Sequence, residues 1–463
     1  MKRASPEMWK LVWLAAIPFF VGGWGQPVGA VESLWTRPRG EDWPQFLGPR
    51  RNSTSRETGI RTDWSREKLP VVWHLPVGEG YSIGSVAKGR YVHFDRVGNE
   101  ARVLCVHAET GRQLWEYRYP TDYVDMYGYD GGPRASPLID EDRVYLFGVE
   151  GMLLCLELES GRLLWQVDTT KRFGVIQNFF GVGSNPIVDG DLLWVMVGGS
   201  PPEDRHVPLG QLDRVRSNGS ALVAFDKRTG QVRHVVGDEL ASYASLQLVE
   251  LFGRRWLLAF ARGGLLSVNP ATATVDFHFP WRAKILESVN ASTPVIVGNE
   301  VFISETYGPG SALLRLQPEG FQVVWQDTPE NRHKAFQAHW NTPIYHDGYL
   351  YGCSGRHTYE AQLRCIEWKT GKICWNEPGL TRTSLLYVDG HFVCLGEDGV
   401  LRLIQARPDR FQQVSELVVR LPDSNGFSRS LLRYPCWAAP ILSHGLLFVR
   451  GEGRVVCLEL IPP

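Results

Sequence analysis

Residues 134–168 read RASPLIDEDRVYLFGVEGMLLCLELESGRLLWQVD, and this stretch decides the fold. Arg134 to Ile139 carries a Ser-Pro, Asp140 to Asp142 is a polar turn, and Arg143 to Phe147 alternates toward apolar. Glu150-Gly151 turns the chain into Met152 to Glu157, and Glu159-Ser160-Gly161 turns it again into Arg162 to Val167. Short alternating runs bounded by Gly, Asp and Ser are antiparallel strands joined by hairpins. The stretch is therefore one four-stranded sheet.

Working outward, the same unit returns about every fifty residues, a period that marks a propeller or another repeat array. A small residue plus proline opens it at Ser136-Pro137, Asn185-Pro186, Thr293-Pro294, Thr342-Pro343 and Ala439-Pro440, with degenerate openers at Ser85, Ser245 and Ser384. A turn glycine and a tryptophan close it: Cys105 to Gly111 and Trp115, Cys155 to Gly161 and Trp165, Cys365 to Gly371 and Trp375. Trp325 closes a copy lengthened by one residue, and weaker copies run through Gly230 and Thr272.

Eight openers predict an all-β, eight-bladed β-propeller of four-stranded antiparallel blades. The last unit, Cys436 to Leu460, stops after three strands and lacks a closing Trp, whereas Leu69 to Val77, with Trp73, stands before the first opener. That N-terminal strand is expected to complete the final blade and close the ring, so that no sheet edge is left bare. Seven blades remain the alternative if the divergent units around Ser245 to Phe277 or Thr381 to Leu417 are not full sheets.

The formal net charge of −1 and the lack of a basic run give no reason to expect nucleic acid as a partner. Lys2, Arg3 and Lys10 precede an apolar stretch from Leu11 to Val21, with Val28-Gly29-Ala30 after it. This predicts a signal peptide over 1–30, cleavage near Ala30 and a periplasmic or cell-envelope location, an uncleaved anchor being the alternative. The mature chain then holds a leader, 31–68, packed on a propeller spanning 69–463, with no transmembrane segment. Of the eight cysteines, Cys105, Cys155, Cys365 and Cys457 share one register in different blades, and packed sheets about 10 Å apart are too distant for disulfides. They read as small buried residues. Cys353, Cys365 and Cys374 fall on adjacent strands, where either a bond or plain packing fits.

A small residue, an acid two later, Thr-Gly, and a Trp ten after the start resembles the tryptophan-docking motif of the pyrroloquinoline-quinone (PQQ) repeat family, over nearly all of the mature chain. Trp73, Trp115, Trp165, Trp325 and Trp375 are the docking residues this implies. Two branches of the family are quinoprotein alcohol dehydrogenases and non-catalytic propellers similar to the outer-membrane protein assembly lipoprotein. The run Asp42-Trp43-Pro44-Gln45-Phe46-Leu47-Gly48-Pro49-Arg50 resembles the leader of a third, exported group. The catalytic branch is expected to carry adjacent cysteines against the cofactor, and Glu, Asn and Asp around a calcium ion. This chain has no adjacent cysteines.

In a propeller the first strand of each blade lines the channel, so the residues before the openers converge at one mouth. These are Tyr81, Arg134, Tyr243, Asn290, His339, Trp340, Asn341, Arg382 and Trp437, flanked by Ser82, Gly183, Ser184 and Cys436. Such a rim is aromatic and cationic, suited to a planar acidic or sugar-like ligand, and a water-filled channel is the competing reading. Insertions at Tyr123 to Gly132 and Lys171 to Phe180 rim the same region, and a third spans Gly199 to Asn218. Asp125, Asp130 and Glu305 offer oxygens, but no close-set metal-ligand run is present and no metal is expected. The favoured expectation is a non-catalytic binding or assembly scaffold for a protein, peptide or glycan. An atypical PQQ-dependent dehydrogenase, with PQQ and calcium, is the alternative, and a glycosidase would need a carboxylate pair that the sequence does not supply.

Overall fold

The computed structural model describes residues 31–463 apart from 67, 177–178 and 423–427. The expected signal peptide lies outside the described residues. Eight four-stranded antiparallel sheets follow one another along the chain. Blade 1 runs from Ser85 to Pro120, blade 2 from Leu138 to Asp168, blade 3 from Ile187 to Val236 and blade 4 from Gln247 to Pro280. Blades 5, 6 and 7 run from Val295 to Gln326, Ile344 to Pro378 and Thr383 to Val418. The divergent units are thus complete sheets, and the seven-bladed alternative falls.

Blade 8 takes its three inner strands from Ile441–Ser443, Leu446–Gly451 and Arg454–Glu459, and its outer strand is Val71–Pro76 from the other end of the chain. Trp73 pairs with Cys457 there, as Trp115 pairs with Cys105, Trp165 with Cys155 and Trp375 with Cys365. The Trp missing from the last repeat is therefore supplied by the first strand.

The core lies between blades, because each sheet is apolar on both faces. One buried cluster joins blades 1 and 2 through Phe94, Val103, Leu146 and Leu154, and others bridge each later pair. A last cluster, containing Trp73, Tyr91, Leu403 and Phe448, binds blades 7, 8 and 1.

Each docking Trp reaches over to the next blade, where its indole N–H donates to a carbonyl: Trp73 to Ala108, Trp115 to Leu158, Trp165 to Lys227, Trp325 to Trp368 and Trp375 to Arg407, at 2.8 to 3.1 Å. The turn glycine of that next blade has two reasons to be glycine. Gly161 takes a φ of 73°, and a Cβ there would stand 2.4 Å from the Trp115 ring. Gly111 stands in the same way under Trp73 and Gly371 under Trp325. Repeated around the ring, burial of these indoles, worth about 2 to 3 kcal/mol each, fixes the blades in angular register.

All eight thiols are free, including Cys353, Cys365 and Cys374. No helix among the described residues is long and apolar enough to cross a membrane.

The leader crosses one mouth of the channel. Trp43 exchanges backbone hydrogen bonds with Val86 of blade 1, and the Pro44 carbonyl accepts from the Ile139 N–H of blade 2. Arg51 reaches the Leu248 carbonyl of blade 4, Ser53 and Ser55 bracket Tyr387 of blade 7, and the Glu41 carbonyl accepts from Ser443 of blade 8. Trp43 and Leu47 are buried, and Gly48, at a φ of 81°, lets the turn coil over the Trp43 ring. The leader is a plug.

Candidate functional site

With one mouth plugged, the channel becomes a blind cup of about 340 Å³ open on the opposite face. Its floor is Phe46, Leu47 and Ser53 of the leader, with Ser136, Asn185 and Ser384 from the openers. Its walls are the residues that precede the openers, joined by loop residues from above.

The most ordered wall is built by blades 6, 7 and 8. The Arg382 guanidinium lies 4.5 Å from the Trp340 ring and 5.2 Å from the Trp437 ring. Glu397 holds it from behind with a two-pronged ion pair, Nη2 to Oε2 at 2.6 Å and Nε to Oε1 at 3.1 Å. The same carboxylate accepts from Trp437 Nε1 at 2.9 Å and from the Thr358 hydroxyl at 2.7 Å. Trp340 Nε1 donates to the Trp437 carbonyl, and the two ring centroids are 5.0 Å apart. Burial opposes ionisation of Glu397, but the hydrogen bonds from Arg382, Trp437 and Thr358 outweigh it and hold the carboxyl below its ordinary range.

Arg134 and Tyr81 form a second wall, the guanidinium 5.0 Å from the ring. Asp125 accepts from Arg134 at 3.0 Å and also caps the Tyr127 and Tyr129 N–H groups. The insertion at 123–132 is thereby tied to the rim. Tyr81 packs on Trp437, centroids 4.7 Å apart, and burial pushes its hydroxyl up to about 12.

The third wall comes from blades 3 to 6. The Tyr243 hydroxyl accepts from the Phe180 N–H at 2.8 Å, which anchors the second insertion. Tyr307 Oη meets His339 Nε2 at 3.1 Å, and Arg356 lies over the Tyr307 ring at 4.4 Å. Burial, with Arg382 and Arg356 nearby, drives the His339 imidazole down to about 3, so it is neutral. Among the described residues Arg356 makes no ion pair, unlike Arg134 and Arg382. It is the cation left for a ligand.

Eight of the nine expected rim residues line the cup. Asn290 does not: it is fully buried, and its amide donates to the Ala261 and Trp281 carbonyls at 2.8 and 3.0 Å. It splices loop to loop beneath the rim. Sequence reasoning missed Tyr307 and Arg356, because it followed only the segments before each first strand, and it missed Tyr434 because it entered the last such segment only at Cys436. The first two project from the turns between second and third strands, and the long turn between Ser354 and Gln362 was the available signal. The third insertion, 199–218, forms two 3₁₀ turns whose Leu212 and Val215 pack on Phe179 and Val289.

The lining does not fit a calcium-bound quinone. Among the described residues, those lining the cup include no aspartate, glutamate or cysteine, and no three His, Cys, Asp or Glu side chains gather to hold a metal. Glu305, one of the oxygens considered above, instead accepts from the Ser288 hydroxyl and from the Tyr307 and Gly308 N–H groups.

A family model described as outer membrane protein assembly factor BamB matches residues 62–200 and 99–377. Among solved structures, BamB from Moraxella catarrhalis is similar with a TM-score of 0.52 at 13% identity, over 84% of this chain and 97% of that one. A quinohemoprotein alcohol dehydrogenase from Comamonas testosteroni gives 0.60 at 11% identity, over 91% and 81%. The computationally designed Ika8 protein gives 0.52 at 10% identity, over 84% and 98%. At these identities the structural likeness establishes the fold alone. A search of the curated proteins finds no match.

Proposed function

The chain belongs to the BamB-type family of PQQ-like repeat propellers, and from that premise we propose that it is a non-catalytic binding propeller whose cup receives a sugar-like ring bearing an acidic group. The observation that carries this reading is the pairing pattern of the arginines. Arg134 and Arg382 are neutralised by Asp125 and Glu397, whereas Arg356 faces the cup without a carboxylate among the described residues. An incoming carboxylate or sulfate completes that pair, and an arginine fork suits it.

The rest of the lining matches the body of such a ligand. Trp340, Trp437 and Tyr81 offer flat faces for the C–H face of a ring, while Ser53, Ser136, Asn185 and Ser384 offer uncharged hydrogen-bonding groups to its hydroxyls. The cup's volume lies in the range of small-molecule sites, roughly 300 to 1,000 Å³. With no carboxylate lining the cup among the described residues, neither the acid pair of a glycosidase nor the calcium ligands of a quinoprotein is supplied by them, which is why binding is favoured over turnover. An exported setting, as the N-terminal sequence suggests, would place the cup where envelope or extracellular glycans are met.

Intrinsic tryptophan fluorescence tests the reading, since Trp340 and Trp437 form a wall. Glucuronic acid is expected to give a saturable change that glucose does not. Incubation with PQQ and calcium is expected to give no reduction of an artificial electron acceptor by alcohols or sugars. Stoichiometric PQQ uptake with turnover would replace this proposal by the dehydrogenase reading.

A further inference from the structure

Every blade carries a bulge where its fourth strand pairs with its third, and the extra residue stands just before the docking position. In a bulge two residues of one strand face a single residue of the other, so the extra residue and the docking residue share one partner. Opposite Cys105, Cys155 and Cys457 the extra residue is Leu114, Leu164 and Val72, which is apolar packing. In blade 6 it is Cys374, opposite Cys365. The two thiols touch, inside a cluster that also holds Tyr351 and Trp375.

Opposed residues on paired strands have Cα atoms about 4.5 to 5.5 Å apart, within the roughly 4.4 to 6.8 Å that a disulfide spans. Cys374 is partly exposed, whereas Cys365 is buried, so an external reagent meets Cys374 first. Cys353 stands elsewhere: it pairs with Leu363, and its thiol faces the Thr381 carbonyl. The position of the pair matters for the ring. Trp375, next to Cys374, docks on the turn Ala406 to Gln412 of blade 7, where its N–H reaches the Arg407 carbonyl at 3.1 Å. That turn contains no glycine, so the contact that seats Trp73, Trp115 and Trp325 on Gly111, Gly161 and Gly371 is missing at this seam.

We propose that Cys365 and Cys374 are an oxidation site, joined as a disulfide by reaction with an external disulfide, and that the bond braces the seam of blades 6 and 7. The exported setting that the N-terminal sequence suggests is one where such bonds persist. The Cys374 thiolate attacks the external disulfide; one sulfur bonds to Cys374 Sγ, and the other leaves and takes up a proton. Cys365 then gives up its proton, attacks Cys374 Sγ and releases the second thiol. Two protein thiols are oxidised, and one disulfide is reduced to two thiols. Burial holds both protein thiols above their ordinary value, so neither thiolate is stabilised as a leaving group. The bond is therefore of the structural kind and not an exchanging one.

Oxidised glutathione added to the native purified protein tests this, with thiols counted after quenching and denaturation and peptides mapped by mass spectrometry. The count is expected to fall from eight to six. Trypsin cuts after Lys369 and Lys372, between the two cysteines, so the bond is read as a crosslinked peptide pair. Cys374→Leu, which copies Leu164 of blade 2, is expected to fold like the parent and to keep all its thiols under the same treatment. Cys353→Ala is expected to retain the crosslink. The thermal midpoint of the oxidised parent is expected to fall when dithiothreitol is added, while that of Cys374→Leu does not move. A count that stays at eight, a lasting glutathione adduct on Cys374, or a crosslink that uses Cys353 would overturn the site. A bond that forms without changing the midpoint would overturn the brace.

Discussion

Trp73, near the start of the described chain, lies directly opposite Cys457, near its end, and its indole N–H crosses to the Ala108 carbonyl of blade 1 at 2.8 Å. One side chain thus joins the last blade to the first. Trp73→Ala leaves a void in the cluster that binds blades 7, 8 and 1, over a glycine shaped to the ring it loses. A loss of about 3 to 5 kcal/mol is expected, read from urea unfolding. A loss below 1 kcal/mol would mean that the ring closes without it.

Glu397 behind Arg382 predicts a second large effect. The side chains of Glu397 and Arg382 are 1% and 12% exposed, so Glu397→Ala leaves a half-buried guanidinium without its partner. Breaking such a pair costs about 3 to 5 kcal/mol. Because the folded carboxyl titrates below its ordinary value of 4.5, the stabilisation is fully present above that pH and is lost as the pH falls through the folded value. Stability of the parent should therefore drop on acidification below about pH 4.5, with a smaller drop in the variant.

Glu305 predicts the opposite slope. Burial pushes its carboxyl up to about 7 from 4.5, against the hydrogen bonds from Ser288, Tyr307 and Gly308. The proton is favoured in the folded state, so stability is greatest below pH 4.5, erodes as the pH rises to about 7 and is level above it. Glu305→Gln should match the parent at pH 4 and exceed it at pH 8, by on the order of 2 to 3 kcal/mol at most. Denaturant titration at both pH values checks the sign.

The leader's role as a floor is tested at Gly48. A Cβ there would meet the Trp43 ring at 2.8 Å on a backbone with a φ of 81°. Gly48→Ala should cost about 1 to 3 kcal/mol and raise protease cleavage in the leader. If cleavage is unchanged, the leader is not held by that coil.

The fold was legible because a repeat writes its architecture many times over. Even where the opener degenerates at Ser245 and Ser384, its neighbours supply the register, and the surplus Trp73 pairs with the deficit of the final unit. The second reason for the turn glycines was hidden, since nothing in a single repeat shows that Gly161 lies beneath the ring of Trp115 in the repeat before it. The site was only partly legible. Tyr81, Arg134, His339 and Trp437 follow from strand order alone, whereas Arg356 and Tyr307 depend on how far a turn leans over the mouth. Asn290 satisfied the positional rule yet was drawn into the interior by the Ala261 and Trp281 carbonyls, a competition that spacing does not encode. The plug was visible as a motif, but which mouth it closes is set by hydrogen bonds to five separate blades.

The most direct measurement is a crystal of the protein grown or soaked with glucuronic acid. The expected result is a ring between Trp340, Trp437 and Tyr81, with its carboxylate in ion-pair contact with Arg356, and loss of that density in Arg356→Ala. A ligand bound elsewhere, or a cup that holds only water at saturating ligand, would contradict the assignment of the channel mouth as a binding site.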